Sequence, residues 1–164
     1  MKNLMIVIIA VTLATTAHAQ KISADKVPAA VNAAFKAKFA NAEKVKWEME
    51  DKKDFEANFN TGAVEQSATF TPEGKWIETE TEIKSSDLPQ AVQQTVAKQF
   101  AGYKTKEASK VENEKNGNFY EVEVEKGKEV IEVALSATGE VLSKKAEGKD
   151  QTGDPFLDAA GNLR

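Results

Sequence analysis

The sequence predicts an α+β fold built as two tandem helix-plus-antiparallel-meander repeats, with the helices packed on one face of the sheet. Two observations predict it. The first is internal repetition. Val27-Pro28-Ala29-Ala30-Val31 returns as Leu88-Pro89-Gln90-Ala91-Val92, Phe39 returns as Phe100, Phe55-Glu56 as Tyr120-Glu121, and Phe70 with Gly74 as Leu135 with Gly139. The spacing between matching residues changes once along the chain, which a single loop insertion explains. Repeats of this kind define the fold before any single element does. The second observation is a change of period. After each helical stretch the apolar residues recur every two positions rather than every four, the mark of strands with one buried face.

The first helix is expected from about Asp25 to Ala40. Val27, Val31, Phe35 and Phe39 form one stripe with Ala30 and Ala34 beside it, Asp25 is a candidate cap, and Pro28 is tolerable in the first turn. Four strands follow. Val45, Trp47 and Met49 face inward on the first, and Phe55, Ala57 and Phe59 on the second. A turn at Thr61-Gly62 leads to the third, with Val64, Ala68 and Phe70 inward. The Thr71-Pro72-Glu73-Gly74 turn opens the fourth, near Lys75 to Ile83, with Ile77 and Ile83 inward. The second unit repeats the order. Its helix carries Leu88, Val92, Val96 and Phe100, with Asp87 as cap and Gly102 as stop. A first strand spans about Thr105 to Glu114, and Tyr120, Val122 and Val124 follow. The Lys126-Gly127 turn, Ile131, Val133 and Leu135, then Gly139 and Val141-Leu142 complete it.

The chain divides accordingly into a signal peptide at 1–19, a first repeat at 20–84, a second at 85–145 and a mobile tail at 146–164. Met1-Lys2-Asn3, the apolar run from Leu4 to Ala14 and the small residues Ala17-His18-Ala19 form the three regions of a secretory signal, with cleavage after Ala19. The apolar run is broken by Thr12, Thr15 and Thr16, too soon for a membrane span of about 20 residues. The expected product is periplasmic or secreted, with no membrane span. Cleavage removes His18, the only histidine, and the chain has no cysteine. Cysteine nucleophiles, thiolate metal sites, disulfides and histidine as base or ligand are thereby excluded from that product. The formal net charge is -4, with lysine and glutamate interspersed and no basic block to follow a phosphate backbone, so nucleic acid is not an expected partner.

Candidates for chemistry are few. Glu78, Glu80 and Glu82 share one strand face, as do Glu121, Glu123 and Glu125, but alternating glutamate reads first as an exposed face rather than an acid–base pair. Ser143-Lys144 point to opposite faces, and Ser85 and Ser86 precede a helix they can help to cap. Asp150, Asp154 and Asp158 suggest a calcium loop, yet Gly161 stands where the bidentate glutamate of an EF-hand would be. No metal, cofactor or catalytic residue is expected. Trp76 is the sharper anomaly. With Ile77 and Ile83 inward it lies on the polar face beside Glu78 and Glu80, an interface anchor rimmed by Thr69 and Thr79. Trp47, in the inward parity, is read as core.

The paired Val/Leu-Pro-x-Ala-Val starts, Val45-Lys46-Trp47-Glu48, Phe55-Glu56-Ala57, and Phe70 with Gly74-Lys75-Trp76 together resemble the beta-lactamase-inhibitor-like, PepSY-like family of secreted bacterial proteins. The resemblance covers about Val27 to Lys145. It implies a duplicated helix-plus-sheet fold similar to beta-lactamase inhibitory protein, whose sheet faces a protein partner, and it carries over no catalytic residues. The chain departs from that inhibitor in lacking disulfides. The expected function is a secreted or periplasmic non-catalytic binding module presenting a sheet face to a protein or envelope ligand through Trp76, Glu78, Thr69, Thr79 and Glu80. An inhibitor of a secreted or periplasmic hydrolase, such as a beta-lactamase or protease, is the narrower alternative, and a carboxylate-dependent enzyme the contrary one.

Overall fold

The computed structural model describes residues 20–50 and 53–146. The signal segment, the acidic Asp150, Asp154 and Asp158, and all of the expected tail beyond Ala146 lie outside the described residues. In chain order the elements are β1 (Gln20–Ile22), α1 (Ala29–Lys38), β2 (Glu43–Glu50), β3 (Asp54–Thr61), β4 (Val64–Phe70), β5 (Trp76–Glu82), α2 (Gln90–Gln99), β6 (Lys104–Asn113), β7 (Gly117–Lys126), β8 (Glu129–Leu135) and β9 (Val141–Ala146). The nine strands form one sheet in simple sequence order. Every neighbouring pair is antiparallel, including β5 and β6, which α2 connects. Strand β1 was not expected. Three residues are too few to show a period, and only pairing with Trp47 to Met49 defines it.

Both helices are short. At ten residues each they fall below the roughly 12–15 at which an isolated helix becomes even marginally stable, so packing must hold them. Val31 and Phe35 of α1 enter a core with Trp47, Phe55, Ala57, Phe59, Ala68 and Phe70. Val92 of α2, with Leu88 and Phe100 at its flanks, enters a second with Ala108, Val122, Val124, Val133 and Leu135. The register carries one parity across the sheet, Ala57 to Ala68 to Thr79, and Lys110 to Tyr120 to Leu135, so both cores lie on the same side. The fold is therefore α+β, with both helices on one face of an antiparallel sheet.

The helices start later than their apolar stripes suggest. Asp25 and Asp87 lie in separate 3-10 turns, Ala24–Lys26 and Ser85–Asp87, and cap nothing in α1 or α2. Pro28 and Pro89 occupy the N-cap positions with extended backbone (ψ 143° and 142°), and neither has a side-chain cap. A proline keeps the residue before it out of helical conformation, so Val27 and Leu88 cannot belong to the helices although their side chains pack with them. The starts are tied down instead from inside the helix. Asn32 Nδ2 donates to the Val27 carbonyl at 3.1 Å, and Gln93 Nε2 donates to the Leu88 carbonyl at 2.8 Å.

Glycine decides how the turns meet the helices. Gly74 (φ +83°) and Gly139 (φ +82°) sit in turns pressed against α1 and α2, where a Cβ would stand 2.6 Å from the Ala30 and Ala91 carbonyl oxygens respectively. Only glycine tolerates both the left-handed backbone and that approach. The first-strand parity expected for Val45 does not hold as burial. The β2–β3 register slips between Glu43 and Lys46, Lys44 takes φ 54°, and Val45 is 37% exposed. Val64 keeps its parity but lies at the end of β4 and is also exposed.

Candidate functional site

With α1 and α2 on one side, the other face of the sheet has no helical layer among the described residues. Its side chains follow from the register. Glu48, Glu56, Thr69, Glu78 and Asn113 lie in one row across β2 to β6, and Lys46, Asn58, Ser67, Glu80, Val111 and Phe119 in the next. Toward the far edge the face carries Glu82, Ser109, Glu121, Ala134 and Ser143, then Glu107, Glu123, Glu132 and Lys145. A furrow of about 400 Å³ crosses it, lined by Lys44, Lys46, Glu56, Ser67, Glu80 and Ser109 among others. A small apolar cluster of Val111, Phe119 and Ala134, with Leu142 against it, lies beside the furrow. Phe119 is only 2% exposed.

The carboxyl groups here are not the solvated row that alternating glutamate suggests. Burial pushes Glu56 up to about 7, with the negative charge of Glu50 adding to it and a hydrogen bond from Ser67 partly offsetting it. Glu80 is pushed up to about 8, again by burial first, then by Glu78, Glu56 and Glu132. Glu121 rises to about 9 through burial, then through Glu80, Glu132 and Glu78, with Lys145 pulling the other way. Desolvation disfavours the charged form, and like charges on neighbouring strands compound it. Other carboxylates on the face are held differently. Asn113 Nδ2 donates to Glu78 Oε2 at 2.9 Å, and Lys106 Nζ stands 2.6 Å from Glu123 Oε1. Glu56 and Glu132 had no place among the sequence candidates, and no local pattern marks them. Their importance comes from which strands lie side by side.

The five expected interface residues are split by the sheet. Thr69, Glu78 and Glu80 lie on the open face, as read. Trp76 and Thr79 lie on the helix side, which corrects the placement of Trp76 beside Glu78 and Glu80. The β4–β5 register runs Thr69 to Glu78, then Phe70 to Trp76, so Ile77 is an extra residue in a bulge and reverses the parity beyond it. Trp76 packs against the first core. Its Nε1 donates to Thr79 Oγ1 at 2.9 Å, which also satisfies the hydroxyl of a residue only 5% exposed. Lys38 Nζ sits 4.1 Å from the Trp76 ring centroid, a cation–π contact from α1. Trp47, by contrast, is core as expected.

The serine candidates hold no catalytic geometry. Ser86 Oγ donates to Asp87 Oδ1 at 3.1 Å, and Lys144 reaches Gln99 Oε1 on the helix side while Ser143 faces the other way. Among the described residues no group of acidic or histidine side chains is arranged to hold a metal ion. No helix among them is long and apolar enough to cross a membrane.

The class these features define is an α+β chain whose helices lie on one side of an antiparallel sheet and whose other side is largely polar. More particularly, this chain belongs to the family described as "Putative beta-lactamase-inhibitor-like, PepSY-like", whose model matches it twice, over residues 13–66 and 53–143. Solved structures share the fold. A BLIP-like protein from Bacteroides fragilis is 24% identical, with a TM-score of 0.63 over 77% of this chain and 92% of its own. A protein from Bacteroides eggerthii described as "putative periplasmic" is 22% identical, with a TM-score of 0.66 over 73% and 88%. A DUF2874 family protein from Bacteroides uniformis is 23% identical, with a TM-score of 0.65 over the same shares. No curated protein matches the chain.

Proposed function

We propose that the chain is a non-catalytic binding module of the periplasm or the secreted fraction, which offers the open face of its sheet to a protein or envelope ligand and acts by occlusion. The observation that carries this reading is the segregation of the molecule into a helix-covered face and a polar face crossed by a furrow. An antiparallel sheet face that no helix covers among the described residues, with polar side chains around a furrow, has the shape of an interface. The membership in a beta-lactamase-inhibitor-like family supports it. Residues 1–19 act as a leader cleaved after Ala19, and 20–84 and 85–145 are two copies of one unit, followed by the tail. Thr69, Glu78 and Glu80 contact the partner, while Trp76 and Thr79 support the face from behind.

Inhibition of a secreted hydrolase is the narrower form of this reading, favoured by the family and by the BLIP-like neighbour. It requires dose-dependent loss of that enzyme's activity. The raised carboxyl groups favour, on their own, a carboxylate enzyme. Against it, Glu56, Glu80 and Glu121 are all displaced in the same direction, whereas acid and base work needs values driven apart.

Affinity capture from envelope extract separates the faces. The baits are the parent, Thr69→Arg on the open face and Trp76→Ala on the helix side. A protein retained by the parent and by Trp76→Ala but lost with Thr69→Arg supports the open face. Loss with Trp76→Ala alone moves the site to the other side of the sheet.

A further inference from the structure

One margin of the sheet is closed by a very short strand with a chemically distinctive first residue. Strand β1 is three residues long, Gln20–Ile22, and is the outermost strand on its side of the sheet. It pairs with β2 alone, Gln20 with Met49, Lys21 with Glu48 and Ile22 with Trp47. Ile22 and Met49 pack against the first core, and Gln20, two residues before Ile22, points to that same side of the sheet. Gln20 is itself exposed. Without β1 the stretch from Trp47 to Met49 becomes an open edge, whose backbone N–H and C=O groups can pair with another chain.

Resting on the reading of residues 1–19 as a leader cleaved after Ala19, we propose that Gln20 is a modification site: once freed as the first residue it closes to pyroglutamate, and β1 becomes a neutral, exopeptidase-resistant cap on the sheet. The step is internal to one residue. Cleavage frees the α-amino nitrogen of Gln20, which attacks the amide carbon Cδ of its own side chain. A bond forms between that nitrogen and Cδ, the bond from Cδ to Nε2 breaks, and Nε2 takes a proton from the α-amine and leaves as ammonia. No oxidant, reductant or second substrate is needed. Amine and amide are held within reach of a five-membered ring, which gives the closure the advantage of an intramolecular reaction. An α-amino group ordinarily titrates at about 8, so part of it is the unprotonated nucleophile at neutral pH. Exposure leaves the side chain free to turn back on its own nitrogen.

The fold accommodates the product. A five-membered ring is tolerated at the first residue of an edge strand, as proline is, and the lactam keeps the N–H that proline lacks. Closing the ring removes a positive charge next to Lys21 and leaves no free α-amine for an aminopeptidase to recognise. Protection matters at this place because the three residues that cover β2 are the first three such an enzyme removes.

The test reads the protein's own first residue. The full chain is recovered from the envelope or culture fluid of its source cell and labelled on free amines before digestion, and its N-terminal peptide is sequenced by tandem mass spectrometry. The expected peptide begins at residue 20, carries no label on its α-nitrogen and is lighter than its sequence by one ammonia, with the loss placed at residue 20 and the ring residue removed by pyroglutamyl aminopeptidase. A peptide that begins at residue 20 with a labelled α-amine overturns the modification and leaves the leader reading standing. A peptide that begins anywhere else overturns the leader reading and the modification with it. Gln20→Asn tests the role of the ring, because its side chain is one methylene too short to close it. Incubated with a broad-specificity aminopeptidase, the variant is expected to lose residues 20 to 22 and then to show faster hydrogen exchange at Trp47 to Met49, while the parent keeps its length and its exchange rates. Equal trimming of the two proteins, or equal resistance, overturns the protective role.

Discussion

The two halves of the sheet differ in what fills them. Around α1 the core is aromatic. Phe35 packs edge-on against Trp47, Phe59 and Phe70 at centroid distances of 5.2, 5.2 and 6.3 Å, and Phe39 adds a fifth ring at 4.7 Å from Phe59. Around α2 the core is mainly aliphatic, with Leu88, Val92, Val122, Val124, Val133 and Leu135 buried and Val96 against them, and Phe100 with Tyr103 form a ring pair at 6.0 Å. What stays constant is backbone: a proline N-cap, a side-chain tie to the carbonyl before it, a glycine turn against the helix, and a bulge in β5 at Ile77 and in β9 near Leu142. Volume and polarity are interchangeable inside a fixed set of backbone constraints, as cores that tolerate substitution at conserved patterning require.

The strongest way to break the comparison is to empty the aromatic half. Phe35→Ala is expected to lose about 3–5 kcal/mol, against roughly 1–2 for Val96→Ala, because the lost contacts and the cavity both scale with the ring removed. Denaturant unfolding of the two variants reads the difference, and equal losses would show that the aromatic cluster is not the stability centre. Next come the glycine turns. Gly74→Ala and Gly139→Ala should each cost about 1–2 kcal/mol from the left-handed backbone alone, and more from the carbonyl contact. Similar losses would show that the halves share their frame, whereas a silent Gly139→Ala would show that α2 gives way where α1 does not.

The open face sharpens the comparison further. Glu56 and Glu80 lie in the first half and Glu121 in the second, where Lys145 stands on the same face at the sheet edge. Raised carboxyl values mean the folded state binds protons more tightly than the unfolded one, whose groups titrate near 4.5. The contribution of these groups is therefore fullest at acid pH, falls as pH rises from about 5 through about 9, and levels off once Glu80 and Glu121 ionise. Glu80→Gln should flatten that fall and raise stability at pH 8 by on the order of 2 kcal/mol, and thermal melts against pH check it. A parent that gains stability over this window contradicts the assignment. The smallest effect is expected at the bulge. Thr79→Val removes the acceptor of the Trp76 indole, costing about 1 kcal/mol with a red-shifted or blue-shifted tryptophan emission as the local readout.

Much of this architecture was legible in the sequence. The apolar stripe of Val31 and Phe35, the alternation through Phe55, Ala57 and Phe59, and the Gly74 and Gly139 turns all stand where the residue pattern put them. Such signals are local, since a helix or strand buries whichever face its own period makes apolar. Trp76 was misplaced because a bulge shifts parity by one residue without any mark in the composition, and β1 was missed because three residues show no period. Val45 was misplaced for the same reason as Trp76, at the β2 bulge.

By itself, then, the sequence determined the α+β pattern, the family and the absence of cysteine chemistry, because these depend on residue type and spacing along the chain. Tertiary structure alone decided that the nine strands of the described residues form one sheet, that Trp76 turns to the helices, and that Glu56, Glu80 and Glu121 share the opposite face. Those residues are far apart in sequence, and their proton affinities depend on desolvation and on charges brought beside them only by strand pairing.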